Sequence, residues 1–215
     1  MEKLNPVFEK NYKGYLEALT DLDLSIRCSI LDISVDEDRK TAEIPFCGSI
    51  YRVSREGVVN ADGKRPDYGT CIILLKYLLM CPRQIPIEDD WVSYRDFKDS
   101  GLSPDVSFSD NSSRAISKIY SGQKGALENA AAALGGTRPD FDYPYDVAVV
   151  LRVSPRVPVL LLFNDEDDEF PAKTSILFER RADQFLDMEC IAMVGGYLFD
   201  KLKRTGKLIM GKNIR

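Results

Sequence analysis

The stretch DVAVVLRVSPRVPVLLLF, residues 146–163, decides the fold of this chain. It contains two apolar runs, at residues 146–153 and 157–163, on either side of Ser154-Pro155-Arg156. Each run has the length of a strand and is rich in β-branched residues, and the short polar connection is typical of a hairpin turn. The stretch therefore predicts a buried antiparallel hairpin.

Outward from this hairpin, other regions show the same two-residue period. Residues 27–54 alternate between apolar and polar positions, which predicts three short antiparallel strands with a turn at Asp36-Glu37-Asp38. Residues 91–97 and 176–178 are predicted as short extended segments. Apolar residues at three- and four-residue steps predict helices over 6–20, 68–80, 112–120, 125–134 and 188–203.

Strands and helices are grouped along the chain, and hairpins outnumber crossovers, which is typical of the α+β class. We predict a single compact domain in which a mainly antiparallel sheet, from residues 27–54 and 146–178, packs against helices. Its core spans about residues 6–203 and is followed by a basic C-terminal tail at 204–215. If the chain divides into two lobes, residues 135–145 are the candidate joint.

Composition excludes several classes of function. None of the 215 residues is histidine, so no Ser-His-Asp or Cys-His couple and no histidine metal ligand can form. Acid–base chemistry would have to use Asp, Glu, Tyr, Lys or Cys, or a bound cofactor. The net charge of -5 argues against binding to nucleic acid or to an anionic membrane. The apolar runs are also far shorter than the roughly 20 residues of a membrane span.

The five cysteines favour a reducing compartment. Their number is odd, their spacing is irregular and no C-x-x-C motif occurs. Cys28, Cys71 and Cys190 lie in apolar runs, where a free cysteine behaves as a small apolar residue. An iron–sulfur site built from scattered thiolates is the alternative. The N-terminus has no signal-peptide pattern, so we expect a cytoplasmic protein.

The segment WVSYR, residues 91–95, supplies the first candidate binding residues. An arginine beside aromatic side chains can clamp a carboxylate or phosphate while a ring stacks on the ligand. Strand alternation would place Trp91, Ser93 and Arg95 on one face, with Tyr94 on the other. We therefore predict that Trp91, Tyr94 and Arg95 contact a ligand. The structural alternative is that Arg95 pairs with a local acid, namely Asp89, Asp90 or Asp96.

The acidic run DEDDE, residues 165–169, supplies the second group. Asp168 and Glu169 follow the buried hairpin, and we predict that they lie at a ligand site near Arg95. A solvated turn between two apolar elements is the simpler interpretation of the run. Carboxylates suit a hard cation, but the spacing is not that of an EF-hand loop, and we predict no metal. The glycine motifs match no nucleotide-binding fingerprint.

Five segments, taken in order and spacing, resemble the uncharacterised prokaryotic family called domain of unknown function 3786. They are Tyr68-Gly69-Thr70 with the apolar helix that follows it, residues 91–97, residues 168–172, residues 176–179, and residues 185–189. The resemblance covers about residues 10–203. It implies no established activity, because family membership alone does not define a function. It does imply an anaerobic bacterium or archaeon, and a setting of corrinoid, tetrapyrrole or one-carbon metabolism.

Together these observations favour a cytoplasmic accessory protein that binds an acidic small molecule or a large cofactor such as a tetrapyrrole. Ion pairing through Arg95 and stacking on Trp91 or Tyr94 would hold the ligand, whose identity the residues leave open. One alternative is a cofactor- or metal-dependent enzyme that uses Asp168 and Glu169 as acid and base or as Mg²⁺ ligands. Another is a protein-interaction domain without a small ligand.

Overall fold

The computed structural model describes residues 6–38, 40–97 and 106–212. Within these ranges the chain forms six α-helices and eight β-strands. The helices are α1 (Pro6–Ala18), α2 (Leu24–Leu31), α3 (Tyr68–Leu79), α4 (Val106–Tyr120), α5 (Lys124–Ala133) and α6 (Met188–Lys212). The strands are β1 (Ser34–Asp36), β2 (Thr41–Phe46), β3 (Ser49–Ser54), β4 (Gly57–Val59), β5 (Trp91–Ser93), β6 (Val147–Ser154), β7 (Val157–Asn164) and β8 (Lys173–Glu179). This α+β architecture confirms the predicted fold class.

The hairpin quoted above forms one side of a four-stranded sheet, with β7 inside the sheet and β6 at its edge. Strands β6 and β7 pair antiparallel, with Val149 opposite Leu161, and β8 and β5 complete the order β5-β8-β7-β6. Every residue of β7 from Val157 to Phe163 is buried. Because both faces of this strand are covered, it has no polar alternation, and this explains the continuous apolar run in the sequence.

Strands β1 to β4 form a second sheet, where the sequence predicts that they share one sheet with the hairpin. The order is β1-β2-β3-β4, with all neighbours antiparallel. The two sheets meet where Cys47, in the turn after β2, donates its backbone N–H to the carbonyl of Val153 in β6 at 2.8 Å. One hydrogen bond replaces a continuous ladder here, so the sheets remain separate.

The predicted strand around Cys28, Ile30 and Ile33 is wrong, because residues 24–31 form helix α2. Asp23 caps the helix by accepting a hydrogen bond from the N–H of Ile26 at 3.1 Å. Asp32 ends it in the left-handed conformation, with φ of 58°. Aspartate is a good N-cap residue and tolerates this conformation better than most residues, so both helix ends are encoded locally.

The remaining helices follow the prediction, with two extensions. Helix α4 begins at Val106, where the sequence predicts a start at residue 112. Helix α6 continues to Lys212, where the sequence predicts a basic tail from residue 204. Part of the reason is the Tyr120 hydroxyl, which donates to the carbonyl of Leu202 at 2.8 Å and fixes this part of α6 against α4. Among the described residues, no helix combines the length and the apolar character needed to cross a membrane.

Helix α3 is the buried helix that the sequence predicts, with eight of its twelve residues buried. The Tyr77 hydroxyl accepts the backbone N–H of Arg156 at 3.1 Å, and the Arg156 Nε donates to the carbonyl of Ile30 at 2.9 Å. These bonds join α3, the end of α2 and the β6–β7 turn, so the centre of the molecule is tied together by residues from both halves of the chain.

One ion pair connects α3 to the start of α6. The Lys76 ammonium donates to a carboxylate oxygen of Asp187 and lies 3.5 Å from that of Glu189. Asp187 also caps α6 by accepting the N–H of Cys190 at 3.0 Å. Burial alone would lower the pKa of Lys76, but the bond to Asp187 outweighs it and the pKa is raised. Lys76 therefore stays charged, and the motif at residues 185–189 serves a structural role.

Candidate functional site

Arg95 is positioned by a tight turn that follows β5. The strand ends at Ser93, and Tyr94–Asp96 form a single 3-10 turn. The Asp96 carboxylate accepts both the N–H of Ser93 at 2.9 Å and its hydroxyl at 2.7 Å. These two bonds lower the pKa of Asp96 and lock the turn. The predicted extended segment is therefore wrong beyond Ser93, and strand alternation does not decide where Arg95 lies.

Tyr94 anchors this turn to the rest of the molecule. Its side chain is 2 % exposed, and its hydroxyl donates to the carbonyl of Met188 at 3.1 Å. Tyr94 is therefore part of the wall behind Arg95 and does not offer an open ring face to a ligand. Trp91, at the start of β5, lies opposite Glu179 of β8.

A cavity of about 540 Å³ lies between this turn, α4 and β8. Four cationic side chains line it, Arg95, Arg114, Lys118 and Lys173, and they come from three different elements. No described residue that lines this cavity carries a carboxylate. We call it the cationic cavity.

Helix α4 supplies one wall of the cationic cavity through two adjacent rows of side chains. Ser113, Ser117 and Ser121 are spaced at four-residue steps, and Arg114 and Lys118 form the row beside them. Residues four apart lie on the same side of a helix, so hydroxyls and cations run along the cavity in parallel. The Ser117 hydroxyl lies 2.8 Å from that of Thr174, which is 7 % exposed. This pair joins the α4 wall to β8.

The acidic run binds the junction between α4 and α5. Asp165 accepts the N–H of Gly122 at 2.6 Å and that of Lys124 at 3.3 Å, close to the start of α5. Glu166 accepts the Ser121 hydroxyl at 2.7 Å. An aspartate at this position satisfies backbone donors that the first turn of a helix leaves unpaired. The first two residues of the run therefore have a structural role, since they hold the β7–β8 loop against the α4–α5 junction.

The rest of the run is a turn. Asp167 accepts the backbone N–H groups of Glu169 at 2.8 Å and Phe170 at 2.7 Å. Asp168 and Glu169 are exposed, and they are absent from the lining of the cationic cavity, whereas Pro171 and Ala172 just after them belong to it. A ligand role for Asp168 and Glu169 remains a prediction that this geometry does not support.

Among the local acids named as alternative partners of Arg95, Asp90 and Asp96 have structural contacts of their own. Asp90 pairs with Arg180 at 2.8 Å, and Asp96 binds Ser93 as described above. Of the five predicted ligand residues, the structure brings Tyr94 and Arg95 together and leaves Trp91, Asp168 and Glu169 outside the cavity lining.

Sequence reasoning missed Arg114, Lys118 and Lys173. The signal for the first two was present, because SSRAISKIYS, residues 112–121, repeats serine and basic residues at four-residue steps. Lys173 carries no such signal, since only the pairing of β8 brings it to the cavity. In the described part of the chain, no group of three or more Cys, Asp or Glu side chains is arranged to hold a metal ion.

A family model described as Domain of unknown function (DUF3786) matches residues 23–201. The match covers most of the chain and includes both sheets, both walls of the cationic cavity and the motifs on which the family resemblance rests. No curated protein and no solved structure matches the chain.

Proposed function

We propose that this chain, which belongs to the family described as Domain of unknown function (DUF3786), binds a small anionic ligand in the cationic cavity. One observation carries the proposal. Four cationic side chains line a single cavity, and no described lining residue carries a carboxylate.

The local charge is unusual for this protein as a whole. The full chain has a net charge of -5, so a random surface region would be expected to carry more carboxylates than cations. Like charges that converge on one cavity repel one another, which opposes their close approach. A bound anion removes this repulsion, and a concave site of one sign also attracts ligands of the opposite sign.

The side chains define the chemistry that the cavity would recognise. Arg95 and Arg114 can each donate two parallel hydrogen bonds to a carboxylate or phosphate, and Lys118 and Lys173 add compact positive charges. Serine hydroxyls donate to the remaining oxygens. A volume of about 540 Å³ is typical of small-molecule sites. The ligand class is thus a small molecule with at least two acidic groups, which includes carboxylate-bearing tetrapyrroles.

The geometry favours binding over acid–base catalysis at this site. An enzyme of the predicted kind would need a carboxylate in the cavity as acid or base, and the described lining contains none. All five cysteines are free, which supports the cytoplasmic location that we propose.

Calorimetric titration with pyrophosphate and with citrate tests the proposal. We expect one saturable site for at least one of the two anions. The double variant Arg114→Gln/Lys118→Gln should weaken it about tenfold or more, because each charge-assisted hydrogen bond contributes about 1.5–3 kcal/mol. Lys64→Gln, which removes an exposed cation outside the cavity, is the matched control and should bind like the unmodified protein.

Two results would overturn the proposal. One is the absence of saturable binding of either anion at low ionic strength, where surface screening is weakest. The other is an equal loss of affinity in the Lys64→Gln control, which would indicate nonspecific attraction. Native mass spectrometry of untagged protein, purified without oxygen, would in addition identify a ligand that copurifies.

A further inference from the structure

A second cavity, of about 720 Å³, lies on the other side of α4. It is enclosed by the turn between β2 and β3, the start of α3, the first half of α4 and the middle of α6. Four aromatic side chains contribute to its lining: Phe46, Tyr51, Tyr197 and Phe199. We call it the aromatic cavity. Its α4 residues, Asn111, Ser112 and Ala115, differ from those that line the cationic cavity, so the two are distinct.

The aromatic rings of this cavity hold one another in place. Phe46 is 2 % exposed and meets Tyr197 edge-on, with ring centroids 5.6 Å apart. Tyr51 also packs against Phe46 in a tilted arrangement, with ring centroids 6.4 Å apart. Edge-to-face pairs at these distances are favourable, and they fix ring orientation before any ligand arrives. The wall is therefore preorganised for a flat apolar body.

Tyr197 is also fixed at its polar end. Its hydroxyl donates to a carboxylate oxygen of Asp67, which accepts the N–H of Thr70 at 3.0 Å and its hydroxyl at 2.6 Å. Burial raises the pKa of Asp67, but these hydrogen bonds outweigh it and hold the pKa below its usual value. Burial and the bond to Asp67 raise the pKa of Tyr197, so its phenol stays protonated. Asp67 thus has its donors already, and its charge does not require a cationic ligand.

One stripe of residues along helix α6 lines this cavity. The residues are spaced at intervals of three and four: Met193, Gly196, Tyr197, Asp200, Lys201 and Arg204. At 1.5 Å per residue the stripe is about 16 Å long. It is apolar at its start and charged at its end, where two cations accompany the exposed Asp200. The Lys201 ammonium is held by the Ser49 hydroxyl at 2.9 Å.

From this arrangement we infer that the aromatic cavity is a second binding site, for a planar aromatic compound that carries one acidic group. The ring system packs against Phe46, Tyr51 and Tyr197, and the acidic group extends along α6 to Lys201 and Arg204. This site is independent of the anion site proposed above, because no described residue lines both cavities.

A fluorescence titration with 8-anilinonaphthalene-1-sulfonate tests this inference, because the dye combines a planar naphthalene with one sulfonate. We expect one saturable site. Gly196→Leu, which places a side chain in the stripe, should abolish it, and Lys201→Gln should weaken it about tenfold through loss of a charge-assisted contact. Lys207→Gln on the same helix is the matched control and should leave the affinity unchanged.

The uncharged dye N-phenyl-1-naphthylamine separates ring packing from ion pairing. It should bind more weakly than the sulfonate, and Lys201→Gln should not alter its affinity. The inference would be overturned if folded Gly196→Leu, verified by circular dichroism, bound the sulfonate like the unmodified protein. If that variant does not fold, Ala115→Phe fills the same cavity from α4, and unchanged binding in this variant would overturn the inference equally.

Discussion

Gly69 is required by a close approach, since its backbone conformation is that of an ordinary helix. A Cβ atom at this position would lie 2.5 Å from the Tyr197 hydroxyl oxygen and 3.4 Å from an Asp67 carboxylate oxygen. The hydroxyl cannot move aside without losing its hydrogen bond to Asp67. The Asp67-Tyr68-Gly69-Thr70 segment therefore acts as a unit that seats Tyr197 at the wall of the aromatic cavity.

We predict that Gly69→Ala lowers the free energy of unfolding by about 1–3 kcal/mol, the usual cost of forcing an atom into a packed region. The loss should occur even though alanine is the better helix former. In a Tyr197→Phe background the obstructing oxygen is gone, so the same substitution should be neutral or stabilise the protein by up to about 1 kcal/mol. Urea denaturation of the four proteins measures both effects. An equal cost in both backgrounds would contradict this account.

The sequence identifies the Tyr68-Gly69-Thr70 motif but does not show why glycine is needed in it. The motif and Tyr197 are far apart in the chain, with Asp67 and Tyr197 separated by 130 positions. No local rule of propensity or capping links residues over that distance. The N-cap function of Asp67 could have been predicted from its place before an apolar helix, whereas the need for glycine depends on tertiary packing.

Among the elements, α2 shows why short apolar segments are ambiguous. Within its eight residues, Cys28 and Ile30 are two positions apart, which satisfies a strand period, and the segment is too short for a helical period to stand out. The capping residues Asp23 and Asp32 distinguish the two, because an aspartate at each end of the segment indicates a helix. The bond from the Arg156 Nε to the carbonyl of Ile30 then holds the end of the helix from the opposite half of the chain, which no sequence pattern reveals.

Two substitutions in the loop between β7 and β8 can distinguish the structural part of the acidic run from its exposed part. Asp165→Ala removes the acceptor for Gly122 and Lys124, so we predict a loss of about 0.5–2 kcal/mol in the free energy of unfolding, as for a helix cap. Asp168→Ala, three residues away, removes an exposed side chain and should change stability by less than about 0.5 kcal/mol. Thermal unfolding of both variants provides the comparison. Equal destabilisation by the two variants would contradict the structural role of Asp165 at the α4–α5 junction.

Across the whole molecule, the two sheets share one interior. Besides the contact between Cys47 and Val153, helix α3 joins both halves through Tyr77, whose ring also packs against Phe185 at 6.4 Å. Neither sheet can be removed without exposing residues that the other covers. The single domain stays a prediction, and these shared contacts are the physical argument for it.

We predict one cooperative unfolding transition. The only tryptophan, Trp91, lies in the β5 strand and reports on its sheet by fluorescence, whereas far-ultraviolet circular dichroism reports on all helices. The two probes should give the same urea midpoint, which is the usual test of two-state behaviour. Separate midpoints would show that the sheets belong to two independently folding units.

The sequence predicts a residue of the candidate site only where a recognisable chemical pattern lies in a segment that reaches the cavity. Arg95 was found because an arginine beside aromatic residues is a recognisable pattern. Trp91, Asp168 and Glu169 are close in sequence to residues that line the cationic cavity, such as Ser93 and Pro171, but are not part of its lining. Proximity in sequence indicates the correct region of the chain. The tight turn at Tyr94 and the pairing of β8 decide which side chains line the cavity.

The burial of α3 has a consequence for the synthesis of this protein on the ribosome. The helix is apolar on nearly all sides, yet Arg156 and Phe185, which complete its surroundings, are translated long after Leu79. At ordinary rates of elongation the delay is about 5–20 s. During that time the nascent chain carries an apolar helix without its cover. The segment that anchors the finished protein is therefore the one that most needs shielding by a chaperone while the protein is made.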